Sequence, residues 1–381
     1  MLYTYFFRII SILAVFSVGC SSIPDKVSSA SWLSSATNKL DIGWSQDVGD
    51  KFIDINSPIK PVITEKHIFT LDQAGMLHKL AKDTGEVIWK KELEQNDYTA
   101  IAGTDKYLLV TNAEGSLTSL NLQDATVIWQ RKLPSAILSQ PTIADTQLVV
   151  QLDSEKLQVM QALDGMLLWS YFSGNTPFVT LRGTSVPYVE DEYLYTGFAN
   201  GDFIVLSLAT GDLLWQKNLV STSKSVQNNI NDIDGSFHVS TEHIFVDTHN
   251  NNLMALDKKT GNKIWQATVS SEFAPVESAS FIYIVVHDGG LYCLDKLTGQ
   301  IVWVQAAFAG SDVKVSAPVL IYNYLVIADN NGNIYLLSQE DGKFIHYLSL
   351  NDGFFGNSLT VEANKILAIS RDATLYSIDI L

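Results

Sequence analysis

Apolar and polar positions along the chain fall into runs of strand length. Residues 237–269, FHVSTEHIFVDTHNNNLMALDKKTGNKIWQATV, divide into FHVS, HIFVDT, NLMALD and NKIWQATV, separated by TE, HNN and KKTG, all turn-forming sequence. Nothing in the segment has the three-and-four apolar spacing of an amphipathic helix, so it predicts four short antiparallel strands joined by tight turns. The same division fits elsewhere, with second-to-third-strand turns at FANGD around Gly201, HDGGL around Gly289 and DNNGN around Gly332. Asn-Gly and Asp-Gly supply the positive φ that tight hairpins require.

The unit repeats. Its fourth run closes a recurring string in which Trp follows a Thr-Gly turn by four positions: DKKTGNKIW ending at Trp265, KDTGEVIW at Trp89, LATGDLLW at Trp215 and DKLTGQIVW at Trp303. Looser copies are LQDATVIW at Trp129 and QALDGMLLW at Trp169, while QEDGKFIH carries His346 in the Trp slot and LDIGWSQDV supplies Trp44 without the turn. Eight slots at a period of about 43 residues suit a repeat architecture built from four-stranded units.

A four-stranded meander cannot bury both faces alone, so its neighbours must stack. Radial stacking leaves only short, protected edges, and the prediction is an all-β fold, a single eight-bladed β-propeller of four-stranded antiparallel blades. Each indole is expected to lie on the outer strand, pack against a turn of the adjacent blade and offer its N–H to a carbonyl, burying roughly 150–250 Å². Trp44, Trp89, Trp129, Trp169, Trp215, Trp265 and Trp303 are thus blade-docking residues, and His346 is read as a weaker latch rather than a metal ligand. The last unit, NSLTVEANKILAISRDATLYSIDIL, holds three strands before the chain ends. The N-terminal strand, residues 41–48, is the missing fourth and closes the ring. Five of the nine prolines, Pro61, Pro141, Pro187, Pro275 and Pro318, fall early in first strands, where an edge tolerates a missing N–H.

Composition changes the picture in three ways. At 46% hydrophobic and 17% charged over 381 residues, the chain has ample core for one closed body, residues 41–381. A net charge of −16 without a Lys/Arg cluster argues against nucleic acid or an anionic membrane face as partner. The start, MLYTYFFRIISILAVFSVGCSS, has an apolar run too short to span a bilayer and reads as an export signal over residues 1–19. Gly19-Cys20 resembles the end of a bacterial lipoprotein signal, which implies acylation of Cys20, a lipidated linker over residues 20–40, and a membrane contact through that anchor. Ser17 stands where such signals usually carry Leu, leaving ordinary cleavage further on, after Ala30, as the alternative. Ser21 rather than Asp implies delivery to the outer membrane. The other cysteine, Cys293, reads as a small buried hydrophobe without a disulfide partner.

These repeats resemble the quinoprotein type, and the overall run of units is similar to the BamB family, the lipoprotein subunit of the outer-membrane β-barrel assembly (BAM) machinery. FVTLRGTSVP, residues 178–187, resembles that family's L-x-L-R-G-x-S-x-P stretch, with Val179 in place of its first Leu, and Asp232 and Asp234 in NDIDG match its D-x-D. The resemblance implies a non-catalytic scaffold on the periplasmic side of the outer membrane. Its implied partners are the periplasmic POTRA domains of BamA and, as a further candidate, incoming unfolded outer-membrane proteins.

Where would a partner dock? Second-to-third-strand turns and blade-to-blade connections emerge on one face, and two of those connections are long, residues 173–183 and 220–233. The first presents Val179, Leu181 and Arg182, apolar residues with one Arg, typical of interface anchors. Alternatively Leu181 tucks into its own blade and Arg182 pairs with Asp232 or Asp234. The competing class, a periplasmic quinoprotein dehydrogenase, needs a calcium site and usually a vicinal disulfide over its quinone, and the chain has no Cys-Cys pair. Seven histidines are scattered without ligand spacing, and no phosphate loop or nucleophile elbow appears. Neither cofactor nor metal is expected.

Overall fold

The computed structural model describes residues 39–49, 59–95, 97–137, 139–174, 185–219, 237–248, 252–271, 273–350, 352–354 and 356–381. The expected signal segment and nearly all of the expected linker lie outside them, Cys20 included. The described strands form eight four-stranded antiparallel sheets, the blades of a propeller ring. Blades 1 to 7 run over residues 62–92, 98–132, 142–172, 188–218, 237–267, 276–305 and 319–349. Blade 8 takes three strands from residues 359–380 and its outer strand from Leu40–Asp47.

Closure occurs in that last blade, as the sequence predicts, one residue earlier than expected. Leu40 lies opposite Ile380 and Asp47 opposite Thr374. Just beyond, the Lys39 N–H donates to the Leu381 carbonyl at 3.0 Å and the Leu381 N–H to the Lys39 carbonyl at 2.8 Å. The two ends of the chain therefore share one ladder.

Within a blade, burial follows strand order. Second and third strands are buried on both faces, as in Leu108–Asn112 and Ser116–Leu120, whereas outer strands expose every other residue. The apolar layers lie between blades: Leu109, Leu117 and Trp129 of blade 2 pack with Leu148 and Val150 of blade 3. Pro61, Pro141, Pro187, Pro275 and Pro318 each stand immediately ahead of a first strand rather than inside it. That position needs no ladder donor.

The recurring string resolves into two halves that serve different contacts. Every outer strand is bulged at the residue before the Trp slot, which adds twist and turns the slot toward the next blade. At six of the eight slots the ring meets the glycine of the next blade's turn, and at Trp89 that turn carries Ala125 instead. A Cβ on Gly165, Gly211, Gly261 or Gly299 would stand 2.8, 2.8, 2.7 or 2.4 Å from Trp129, Trp169, Trp215 or Trp265 respectively. Each glycine thus receives the previous blade's indole. Four indole N–H groups donate as expected, Trp129 to Ala162 O at 3.1 Å, Trp169 to Leu208 O at 2.9 Å, Trp265 to Lys296 O at 2.9 Å and Trp303 to Gln339 O at 3.1 Å.

The expectation fails at Trp44, Trp89 and Trp215. Trp44 and Trp89 have buried Nε1 atoms without an acceptor. At Trp89 the reason is visible: the carbonyl in the acceptor position, Leu122 O, takes the buried Lys79 Nζ instead, at 3.0 Å.

His346 occupies the slot that faces the closing blade. Blade 8 has no turn between its third and fourth strands, because those strands belong to opposite ends of the chain. With no turn glycine to receive an indole, an imidazole meets the incoming strand instead, and its Nδ1 accepts the Leu40 N–H at 3.2 Å. Cys293 is fully buried and unpaired, the small hydrophobe expected.

Candidate docking site

Val179, Leu181 and Arg182, and likewise Asp232 and Asp234, lie outside the described residues. What the structure describes is the frame that carries their segments, residues 175–184 and 220–236, on either side of blade 4. The Leu219 N–H, leaving blade 4, donates to Gly201 O at 2.9 Å, and the Ser173 N–H, leaving blade 3, to Glu155 O at 3.5 Å. Both connections therefore start on the face of the second-to-third-strand turns, as the meander argument requires.

On that face a buried polar seam joins blades 3 and 4. Gln151, Glu155, Ser185 and Thr196 are each no more than 3% exposed. The Gln151 Nε2 donates to Gly197 O at 2.9 Å, Thr196 Oγ1 donates to Gln151 Oε1, and Ser185 Oγ accepts the Gly197 N–H at 3.4 Å. Glu155 Oε2 accepts the Ala199 N–H at 2.9 Å, tying the two second-to-third-strand turns together. On the far side of blade 4, Asn218 Nδ2 donates to Asp202 Oδ1 at 2.9 Å and to Asn200 O at 3.2 Å. Satisfied side-chain networks of this kind fix a turn in one geometry.

Sequence reasoning missed this seam, although it had a signal. Gly75, Gly115, Gly201, Gly289 and Gly332 occupy the positive-φ position of their blades' second-to-third-strand turns, and blade 3 places Glu155 there at φ 59°. A β-unbranched acid in a glycine slot carries backbone strain of order 1–3 kcal/mol, retained where its side chain is needed. Here the carboxylate bridges to the next blade.

A second titratable group faces the same side of the ring. Asp247, at the end of blade 5's second strand, is 4% exposed; its Oδ1 accepts the Ser271 N–H at 3.0 Å and Oδ2 the Ser270 hydroxyl at 3.2 Å. Burial pushes its carboxyl up to about 7, against the pull of those two donors.

His238 Nε2 pairs with Glu277 Oε2 at 2.8 Å, and no group of three or more His, Cys, Asp or Glu among the described residues could hold a metal ion. Tyr188, Tyr193 and Tyr195 gather on blade 4 with ring centroids 6.2 and 6.4 Å apart.

Residues 75–305 match the family described as outer membrane protein assembly factor BamB. Similar proteins of that name include those of Vibrio cholerae, 35% identical over 82% of this chain and 81% of the relative, and Aliivibrio fischeri, 33% identical over 87% of each. Among solved structures, BamB from Moraxella catarrhalis superposes with a TM-score of 0.77 at 19% identity, covering 89% of this chain and 99% of that one. The propeller is shared more widely: a quinohemoprotein alcohol dehydrogenase from Comamonas testosteroni gives a TM-score of 0.68 at 11% identity, over 89% of this chain and 76% of the other. The fold is thus common to assembly factors and dehydrogenases, whereas identity of 33–35% over more than four-fifths of the chain runs to the former, and this chain belongs to the BamB family of outer membrane protein assembly factors.

Proposed function

We propose that this propeller is a non-catalytic scaffold of the outer-membrane β-barrel assembly machinery, anchored through an acylated Cys20 on the periplasmic side and gripping the POTRA domains of BamA. The grip is assigned to the connections over residues 173–183 and 220–233, with Val179, Leu181 and Arg182 as anchors and Asp232 and Asp234 beside them. The observation that carries this reading is the Glu155 seam, which ties the second-to-third-strand turns of blades 3 and 4 together on the face from which both connections start. Rigid presentation follows. A scaffold that holds recognition loops in one shape lowers the ordering entropy lost on binding.

Co-purification of BamA with the Arg182→Glu protein tests the assignment. Loss of BamA with an unchanged melting temperature is expected; retention of BamA would overturn the loop assignment. Cys20→Ser should move the protein from the membrane pellet to the soluble periplasmic fraction, and continued sedimentation with membranes would remove the lipid anchor from the scheme. Assisting the folding of incoming outer-membrane proteins follows from the same positioning, and loss of binding by Arg182→Glu should slow their assembly.

A further inference from the structure

On the face opposite the docking connections, blades 4 and 5 leave a cleft of about 770 Å³. Its walls carry Tyr193, Tyr195 and Trp215, and its lining holds four carboxylates, Glu190, Asp191, Glu242 and Asp257, against two lysines, Lys258 and Lys259. Lys258 is already engaged. Its Nζ pairs with Glu190 and donates to Ser240 O at 2.8 Å, 5.8 Å above the Tyr195 ring.

The repeat itself shows what this cleft lacks. In blade 6, Tyr283, Cys293 and Trp303 form one cross-strand row, and both polar ends of that row converge on a single peptide carbonyl of blade 7: Gln339 O accepts Tyr283 Oη at 3.3 Å and Trp303 Nε1 at 3.1 Å. Blade 4 repeats the row as Tyr195, Val205 and Trp215. Lys258 stands where Gln339 stands, directly after a third strand. Yet neither the Tyr195 hydroxyl nor the Trp215 N–H makes a hydrogen bond with any described residue, although Tyr195 is only 2% exposed. Burial, then the nearby Glu190, raises the Tyr195 pKa, so its hydroxyl stays a donor. Neither atom is sealed from solvent, so both donors stand ready on the cleft for an acceptor that enters it.

We propose that this cleft binds a cationic, extended polypeptide segment whose backbone carbonyls take the Tyr195 hydroxyl and the Trp215 N–H. The excess of carboxylates lining the cleft, on a chain of net charge −16, selects the cationic side chains of that segment. The occupant is a protein partner or client distinct in position from the one the loops grip, so the site stands or falls separately from the function proposed above.

The full mature protein carrying 15N-labelled tryptophan gives an indole N–H signal for each Trp, and the one missing from Trp215→Phe identifies Trp215. Titration with acetyl-Lys-Ala-Lys-Ala-Lys-amide should shift that signal saturably while leaving Trp265 and Trp303 in place. Tyr195→Phe, which keeps the ring and removes only the hydroxyl, should weaken binding about tenfold, and raising salt should weaken it further. The proposal is overturned if the signal does not move saturably, if the Glu-for-Lys peptide moves it equally, if only diacetylchitobiose moves it, or if Tyr195→Phe binds with unchanged affinity.

Discussion

The Leu40 N–H donates to the His346 Nδ1 at 3.2 Å, joining the first described strand to a blade more than three hundred residues away. The contact requires a neutral imidazole. Burial and then Lys39 lower the His346 pKa from its ordinary 6.5, so the folded protein resists protonation more than the unfolded chain does. The stabilisation is therefore complete above pH 6.5 and is lost as pH falls through the lowered folded value. Amide exchange in Leu40–Asp47 should accelerate between pH 7.5 and 5.5 beyond the intrinsic rate change. His346→Leu should lose about 1 kcal/mol at pH 7.5 and abolish that pH response. His346→Trp should not restore stability, since no turn glycine faces the slot.

Gly211→Ala forces a methyl to 2.8 Å from Trp169 at φ 76°, combining a clash with an unfavourable backbone. A loss of about 2–4 kcal/mol is expected in urea unfolding. The converse change, Ala125→Gly, relieves a φ of 53° against Trp89 and should be neutral or stabilising by up to about 1 kcal/mol. A stabilised Gly211→Ala protein would contradict the account of the recurring turn.

Glu155→Ala removes the acceptor of the Ala199 N–H from a buried seam, at roughly 1–3 kcal/mol. If the seam positions the docking connections, this variant should also weaken BamA capture when compared at a temperature where both proteins are fully folded. Full capture by a folded Glu155→Ala protein would confine the residue to stability.

Asp247 gives a pH effect of opposite sign to His346. With a folded value of about 7 against 3.8 for the free side chain, the native state holds its proton more tightly than the unfolded one. Stability is highest below pH 4 in this respect and falls as pH rises through 7. Asp247→Asn should therefore raise the melting temperature at pH 8 and change it little at pH 3.8 or below. Equal effects at both values would show that burial does not perturb this carboxyl.

How much of this could be read in the residues alone? Blade count, closure and the outer position of the Trp slots were legible because they follow from a two-residue alternation and a repeated turn, both local. Packing of the indoles against a turn of the adjacent blade was legible too, but not that the turn is the one carrying the glycine of the following unit, or Ala125 at Trp89, since nothing in DKKTGNKIW says that its halves serve different neighbours. His346 was legible as an irregular slot, but its reason lies in a turn that the closing blade does not possess. Gln151, Glu155 and Thr196 are unremarkable polar residues in sequence and become a seam only when blades 3 and 4 are set side by side. Glu155 in a glycine position was the one local clue. The cleft between blades 4 and 5 likewise depends on comparing two rows across strands, Tyr195 to Trp215 with Tyr283 to Trp303.

The antiparallel ladder between Leu40–Asp47 and Thr374–Ile380 also decides how the molecule responds to force. A tension applied upstream of Lys39 and directed across the sheet falls first on the pair at Leu40 and Ile380, then on the next, so the strand unzips one rung at a time instead of shearing all rungs together. A tethered propeller would then yield at its closing strand under loads that leave its other seven sheets whole, and would reseal when the load is released.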